Sequence, residues 1–249
     1  MERRTFLSRV LSYLYGQIEG VPANYTREQL FDLQSTVDLL AKMSGELNLS
    51  TVREFAGEED KDTKELGSLF AQYGSDKSIR HDYHRIYAHI LGKRRRESLE
   101  ILEIGLGTNN TDVPSNMGRD GKPGASLRAF RDWAPKAHVY GADVDTRILF
   151  NEDRINTYFV DQTKPETFQS LVKLDTQFDL VIDDGLHNPS ANFNTINALL
   201  DLVKPGGYLI VEDILDKYLS LWQIAISFLH THTIQLVRCR QEIACVIRK

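Results

Sequence analysis

The sequence predicts an α/β fold, a parallel sheet covered by helices and closed by an antiparallel hairpin. Two observations carry that reading. From about residue 98, short β-type runs at 99–104, 138–142, 158–160, 178–182 and 208–211 alternate with helix-type stretches at 126–133, 165–173, 189–203 and 217–230. Such alternation makes βαβ units, whose crossover helices cover both faces of a parallel sheet. Then the alternation stops. Two more β-type runs, 233–239 and 242–247, are separated only by Arg240 and Gln241, which leaves no room for a helix. They must pair antiparallel.

Residues 1–65 have a different texture and read as a helical N-terminal extension to a main domain spanning 66–249. Phe6, Val10, Leu11, Leu14 and Tyr15 recur at helical spacing, and Leu30, Leu33, Val37, Leu40 and Ala41 do so again after Thr26, an N-cap candidate. Gly20-Val21-Pro22 breaks the two helices, and residues 57–65 read as a charged linker. Two apolar stripes on such an extension lead us to expect a homo-oligomer.

The 249 residues are 41% apolar and 26% charged, which suits one large globular domain with an appendage. Thirty basic against 35 acidic residues give a net charge of −5, and the one dense basic cluster is Lys93-Arg94-Arg95-Arg96. A protein held to nucleic acid through phosphates needs a larger basic surface, so no nucleic-acid partner is expected. Cys239 and Cys245 cannot form a disulfide framework in a chain of this size and read as free thiols of a reducing compartment. No apolar run reaches the roughly 18 residues of a membrane span. Arg9 and Ser12 interrupt the stretch that a signal peptide would need. A cytoplasmic protein is therefore expected.

The first strand runs into Glu103-Ile104-Gly105-Leu106-Gly107. In an open parallel sheet ligands bind beyond the carboxyl ends of the strands, and glycines there allow close backbone approach. Asn110 stands where a dinucleotide fingerprint needs its third glycine, and no Lys-Ser/Thr pair follows, which excludes a P-loop. The second strand ends at Asp143, 36 residues beyond Gly107. A polar, Gly-rich stretch at 108–124 accounts for 17 of those, so the acid falls where a ribose contact belongs. A helix cap is the other reading of Asp143, although Asp145 suits that role better. The third strand ends in Asp161-Gln162, a carboxylate and an amide able to read an adenine edge or simply to begin a helix.

These residues resemble the class I S-adenosylmethionine-dependent methyltransferases over about residues 68–249. The resemblance implies a Rossmann-like sheet of seven strands in the order 3-2-1-4-5-7-6, the last antiparallel. It implies Glu103, Gly105, Gly107 and Ser126 beside the cofactor, Asp143 on its ribose, and Asp161 and Gln162 near its adenine. A sulfonium cofactor carries no phosphates and so needs neither a third glycine nor a lysine.

The fourth strand ends in Asp183-Asp184-Gly185-Leu186-His187 and the fifth in Glu212-Asp213. In neighbouring strands these acids project into one crevice and repel unless compensated. A divalent cation is one compensation, with oxygen ligation favouring Mg²⁺, Mn²⁺ or Ca²⁺. Asp183, taken alone, either touches the cofactor or holds backbone amides. Asn188-Pro189 reads as an N-cap followed by the first helical residue. His187 reads as a general base or as a packing histidine.

A narrower resemblance joins these motifs. Tyr73-Gly74-Ser75-Asp76-Lys77 with His81, Tyr83 and Tyr87, then Asp184-Gly185-x-His187 and Glu212-Asp213, is similar to the metal-dependent sugar O-methyltransferases of macrolide tailoring. It implies Asp184, Glu212 and Asp213 as metal ligands and His187 as general base. It places Tyr73, Lys77 and Tyr83 at the cofactor's methionine end and Asp183 beside the cofactor, with 112–128 as a loop over the site. The chemistry is coherent. An ion bound to a sugar hydroxyl lowers its pKa, a neutral histidine takes the proton, and the methyl group moves in line. The residues leave open a metal-independent methyltransferase and a cofactor-fold protein without activity. His81, His84 and His89 lie near helical spacing; a zinc site is one reading, but no fourth ligand is in view and a surface face is expected.

Overall fold

A computed structural model describes residues 27–45 and 47–249. The helix expected around Phe6–Tyr15 and the Thr26 cap lie outside the described residues. The elements are α1 (Arg27–Met43), β1 (Leu49–Thr51), α2 (Val52–Ala56), α3 (Lys61–Tyr73), α4 (Tyr83–Leu91), β2 (Glu100–Ile104), α5 (Ala125–Trp133) and β3 (His138–Asp143). There follow β4 (Asn151–Glu152), β5 (Ile155–Phe159), α6 (Gln169–Val172), β6 (Phe178–Asp183), α7 (Pro189–Leu199), β7 (Val203–Ile214), α8 (Leu219–Ser227), β8 (Thr233–Cys239) and β9 (Glu242–Arg248).

All described strands join one nine-stranded sheet in the order β1-β8-β9-β7-β6-β2-β3-β5-β4. β5, β3, β2, β6 and β7 run parallel to one another, and β9 is antiparallel to both β7 and β8. The hairpin follows from its two-residue connection. The strand count exceeds the seven expected, because β1 adds to β8 in parallel and β4 to β5 in antiparallel fashion. Both additions are three residues or shorter, and neither has an apolar pattern long enough to read from sequence.

The inner strands are buried on both faces. Ile101, Leu102, Glu103 and Ile104 of β2 are at most 1% exposed, as is every residue of β6. That is why these strands are near-continuous apolar runs instead of alternating ones. One apolar cluster covers the face under α3, α4 and α5, with Phe70, Tyr87, Phe130 and Trp133 at its centre. The other lies under α7 and α8 around Phe168, Phe178 and Trp222.

The division expected at residue 65 falls inside α3. The segment read as a charged linker contains the start of that helix, capped by Asp60, whose carboxylate accepts from Thr63 N–H at 2.8 Å. Thr63 and Leu66 are buried against the main domain. α1 packs on α8, where Ser220 Oγ donates to Asp38 at 2.6 Å. A capping box between Thr51 and Glu54 starts α2 directly after β1. The expected stripe on α1 is only partly covered: Ala41 is buried, but Leu40 is 40% exposed.

At the amino edge of the sheet, Asp179 is buried and accepts from Arg94 at 2.7 Å, Lys204 at 2.6 Å and Glu100 N–H at 2.9 Å. Burial acts to raise its pKa, but Lys204, the Glu100 amide and Arg94 outweigh that and hold it below the ordinary value. Its stabilisation is therefore present above the unfolded value near 3.8 and fades as pH falls through the lower folded value. Asp179→Asn is expected to cost roughly 1.5–3 kcal/mol in urea unfolding at neutral pH. The gap between the two proteins should close in acid; a gap that stays constant with pH would refute the account.

Candidate active site

The carboxyl ends of β2, β3, β6 and β7 meet at one edge. Gly105 follows β2 with φ +95°, and a Cβ there would lie 2.1 Å from the backbone oxygen of Asp184 after β6. Only glycine permits both that dihedral and that approach. Asp184 N–H donates to Ile104 O at 2.8 Å, and Gly105 N–H donates to Ala142 O at 2.8 Å, so the turn is laced to both neighbouring strands. Met117, from the 108–124 loop, lies against Gly107, where a Cβ would come within 2.3 Å of its sulfur.

Asp143 is buried at the end of β3. Its Oδ2 accepts from Leu106 N–H at 2.7 Å and its Oδ1 from Asp145 N–H at 2.8 Å. Burial raises its pKa against the pull of those amides. Each carboxylate oxygen keeps a further lone pair, so the group remains able to accept from hydroxyls. Asp145 caps the turn that follows, accepting from Arg147 N–H at 3.1 Å, and it also gathers Thr108 and Asn110 from the glycine loop at 2.6 and 2.7 Å. Arg147 is the main reason its carboxyl lies well below the ordinary range.

At the centre lies Lys77, 2% exposed. Its ammonium donates to Asp184 Oδ2 at 2.6 Å and to Glu212 Oε2, and it is 3.1 Å from Glu103 Oε1. Burial disfavours the charged amine, but Asp184, Glu212 and Glu103 together outweigh it and push the pKa well above the ordinary value. The charge compensation expected of a cation for the acidic cluster is thus supplied in part by this lysine. Glu212 and Glu103 are fully buried, and burial raises both their pKa values despite Lys77. Tyr87 donates to the other oxygen of Glu212, and Ser126 donates to Glu103.

Beside this core Tyr83 donates to Asp213 Oδ1 at 2.5 Å and accepts from Asp213 N–H at 3.1 Å. His187 Nε2 lies 4.0 Å from Asp184 Oδ1 and 3.7 Å from Asp213 Oδ2. His187 and Asp213 both hold left-handed backbones, with φ of 53° and 55°. Non-glycine residues adopt this region at a cost, and such residues cluster at functional sites.

Of the residues expected to hold metal, Asp184 and Asp213 share a cluster with His187, their ligand atoms all within 4.8 Å of one another. Glu212 is not within that cluster; its two oxygens accept from Lys77 and Tyr87. Tyr73, expected near the cofactor, is instead tied to Asp132 on α5. Asp161 accepts from Thr163 N–H at 3.0 Å and Lys164 Nζ at 2.8 Å, a local turn. Gln162 is buried. Its Nε2 donates to Asp183 at 2.7 Å and Thr195 at 2.8 Å, while its Oε1 accepts from Leu186 N–H at 2.8 Å. Asp183, fully buried, accepts also from Asn192 at 3.1 Å, and burial raises its pKa. Gln162 and Asp183 therefore shape the β6–α7 turn that carries His187. Asn188 caps α7 as expected, accepting from Ala191 N–H at 2.9 Å.

Sequence reasoning missed Asn192, Thr195 and Glu242. The first two are polar residues on a helix face whose burial no local pattern marks, and Glu242 is the first residue of β9. His81 is not on a surface face: it is half-buried and stacks on Tyr83 with ring centres 5.0 Å apart.

No protein-family model matches the chain. Its sequence and fold are similar to those of class I methyltransferases that act on sugars. It is 29% identical over 171 residues to the 8-demethyl-8-alpha-L-rhamnosyl tetracenomycin-C 2'-O-methyltransferase of Streptomyces olivaceus, covering 69% of this chain and 43% of that protein. It is 26% identical over 218 residues to the mycinamicin VI 2''-O-methyltransferase of Micromonospora griseorubida, covering 85% of this chain and 52% of that protein. Among solved structures, the mycinamycin-pathway methyltransferase MycE, in complex with Mg and SAH, superposes with a TM-score of 0.51 at 28% identity, over 60% of this chain and 37% of that one. Within the class, the chain resembles the metal-dependent sugar O-methyltransferases of macrolide tailoring. It spans about half the length or less of these curated relatives.

Lys77→Met leaves Glu103 and Glu212 buried without their counter-charge. A loss of roughly 3–5 kcal/mol in urea unfolding is expected, partly restored by adding Glu212→Gln. A Lys77→Met protein as stable as the parent would show that the acids carry no charge to be compensated.

Proposed function

We propose that this chain carries an S-adenosylmethionine-dependent O-methyltransferase activity toward a hydroxyl of a sugar-bearing small molecule, assisted by a divalent cation. The supporting observation is the convergence of Asp184, Asp213 and His187 beside the Gly105 turn. The seven inner strands, β5-β3-β2-β6-β7-β9-β8, correspond in this reading to the methyltransferase sheet, with β1 and β4 as additions at its edges. The catalytic unit expected at 66–249 takes in the whole of α3, from Lys61, and the residues before it form an extension.

The residues fit the groups invoked. Asp143 keeps acceptor capacity at the end of β3, where ribose hydroxyls would meet it. Gly105 and Gly107, both at positive φ, present backbone without a side chain in the turn after β2. Asp184 and Asp213 would hold the ion through one oxygen each, with Glu212 left to Lys77. Bound there, a Mg²⁺ or Mn²⁺ ion supplies Lewis acidity to the acceptor hydroxyl. His187 faces both carboxylates through Nε2 and takes the hydroxyl proton at that atom. The α7 cap and the Asp183–Gln162–Asn192 network hold the turn that aims it. Glu103, Ser126 and Lys77 fix the floor beneath. We further propose a cytoplasmic homo-oligomer with no nucleic-acid partner; among the described residues no helix is long and apolar enough to cross a membrane. A monomer on size-exclusion chromatography of the full chain would refute the oligomer.

Calorimetric titration with S-adenosylhomocysteine, then a screen of glycosides for methyl transfer with and without Mg²⁺, tests the activity. His187→Ala should lose at least about 100-fold in turnover while cofactor affinity stays within a few-fold. Equal loss of both would make His187 structural. Turnover unaffected by chelation and by Asp213→Asn would favour the metal-independent reading.

A further inference from the structure

Asp213 looks two ways. Its Oδ2 faces His187 and Asp184, while its Oδ1 lies 3.8 Å from His81 Nδ1, which is itself 3.1 Å from Glu242 Oε2. We infer that His81, Asp213 and Glu242 form a second divalent-cation position, bridged through the Asp213 carboxylate to the ion proposed at Asp184 and Asp213. The bridge, though not the second position itself, rests on that proposed first ion.

Two of the three spacings are those of a coordination shell. Ligand atoms about 2.1 Å from a common ion stand about 3 Å apart when adjacent and about 4.2 Å apart when opposite. The two distances above fall within that interval, and all three ligand atoms lie within 4.8 Å of one another. His81 Nδ1 and Glu242 Oε2 are buried atoms 3.1 Å apart, and neither makes a hydrogen bond. Buried polar atoms are normally satisfied, and a shared cation satisfies both.

The surroundings hold the set in place. Tyr83 stacks under the His81 ring and donates to Asp213 Oδ1, so one residue sets the position of two ligands. The other ring nitrogen, His81 Nε2, lies 3.9 Å from Asp76 Oδ2, an outer carboxylate of the kind that orients metal-bound histidines. The hairpin that carries Glu242 is fastened to the same segment by Arg240, which donates to Asp82 at 3.0 Å. One imidazole with two carboxylates suits Mn²⁺, Zn²⁺ or Fe²⁺ better than Mg²⁺. Two ions sharing a carboxylate stand about 3.5–4 Å apart, as in two-metal enzymes.

Titration of the full chain with Mn²⁺, followed by the electron paramagnetic resonance signal of the free ion, counts the sites. The parent protein should bind two ions per chain with a spin-coupled spectrum. Glu242→Gln and, independently, His81→Gln should each bind one, without coupling, and Asp184→Asn should also bind one. Thermal melting of each variant confirms folding. One ion in the parent, kept by Glu242→Gln and His81→Gln and lost in Asp184→Asn, would overturn the second position and leave the proposed active site standing. Binding lost in Glu242→Gln but unchanged in Asp184→Asn would support the second position and remove the first.

Discussion

The buried ammonium of Lys77 is the constraint on which this sheet edge depends. Three strand ends bring acids to one point: Glu103 from β2, Asp184 after β6 and Glu212 from β7. In a low-dielectric interior their mutual repulsion would prevent the strands from ending together. A single cation between them, itself desolvated, makes the arrangement possible, and the three acids in turn keep the lysine charged. Lys77 sits on the short segment between α3 and α4. The helices covering one face of the sheet are thereby tied to its carboxyl edge by charge as well as by apolar packing.

That constraint divides the acids into two groups. Glu103 and Glu212 are fully buried and engaged with Lys77, Ser126 and Tyr87. Asp184 and Asp213 are partly exposed and keep oxygens directed outward, toward His187 and His81. The left-handed backbones of Asp213 and His187 turn these side chains away from the sheet. Conformational strain there is held by the Tyr83 hydroxyl on one side and the Gln162–Asp183 network on the other.

The parallel strands and closing hairpin were legible because periodicity and connection length leave few alternatives for such runs. The glycine turn and the acidic strand ends were legible because residue type at a strand's carboxyl end carries chemistry. What escaped were contacts between segments far apart in the chain. Nothing near Lys77 indicates that it will lie between Glu103 and Glu212, and nothing near Glu242 indicates that it will face His81. Gln162 shows the same: its contacts with Asp183, Thr195 and Leu186 come from other elements. Tyr73 likewise sits within a motif but is drawn to Asp132 on α5. β1 and β4 are too short for their pairing to be encoded locally, so the sheet they extend specifies them.

The position of Glu212 follows from the backbone near the end of β7. A carboxylate one residue from Asp213 has the right chemistry for a metal, but along a strand successive side chains point to opposite faces. Asp213, within β7, interrupts that alternation with a left-handed backbone, where the pairing of β7 with β9 shifts register between Val211 and Ile214. Glu212 therefore stays directed into the sheet's interior face, where Lys77 and Tyr87 meet it, while Asp213 is released to the edge. The register shift separates the fixed charge from the exposed one. It allows adjacent acids to do different work, one closing the fold and the other facing the two histidines.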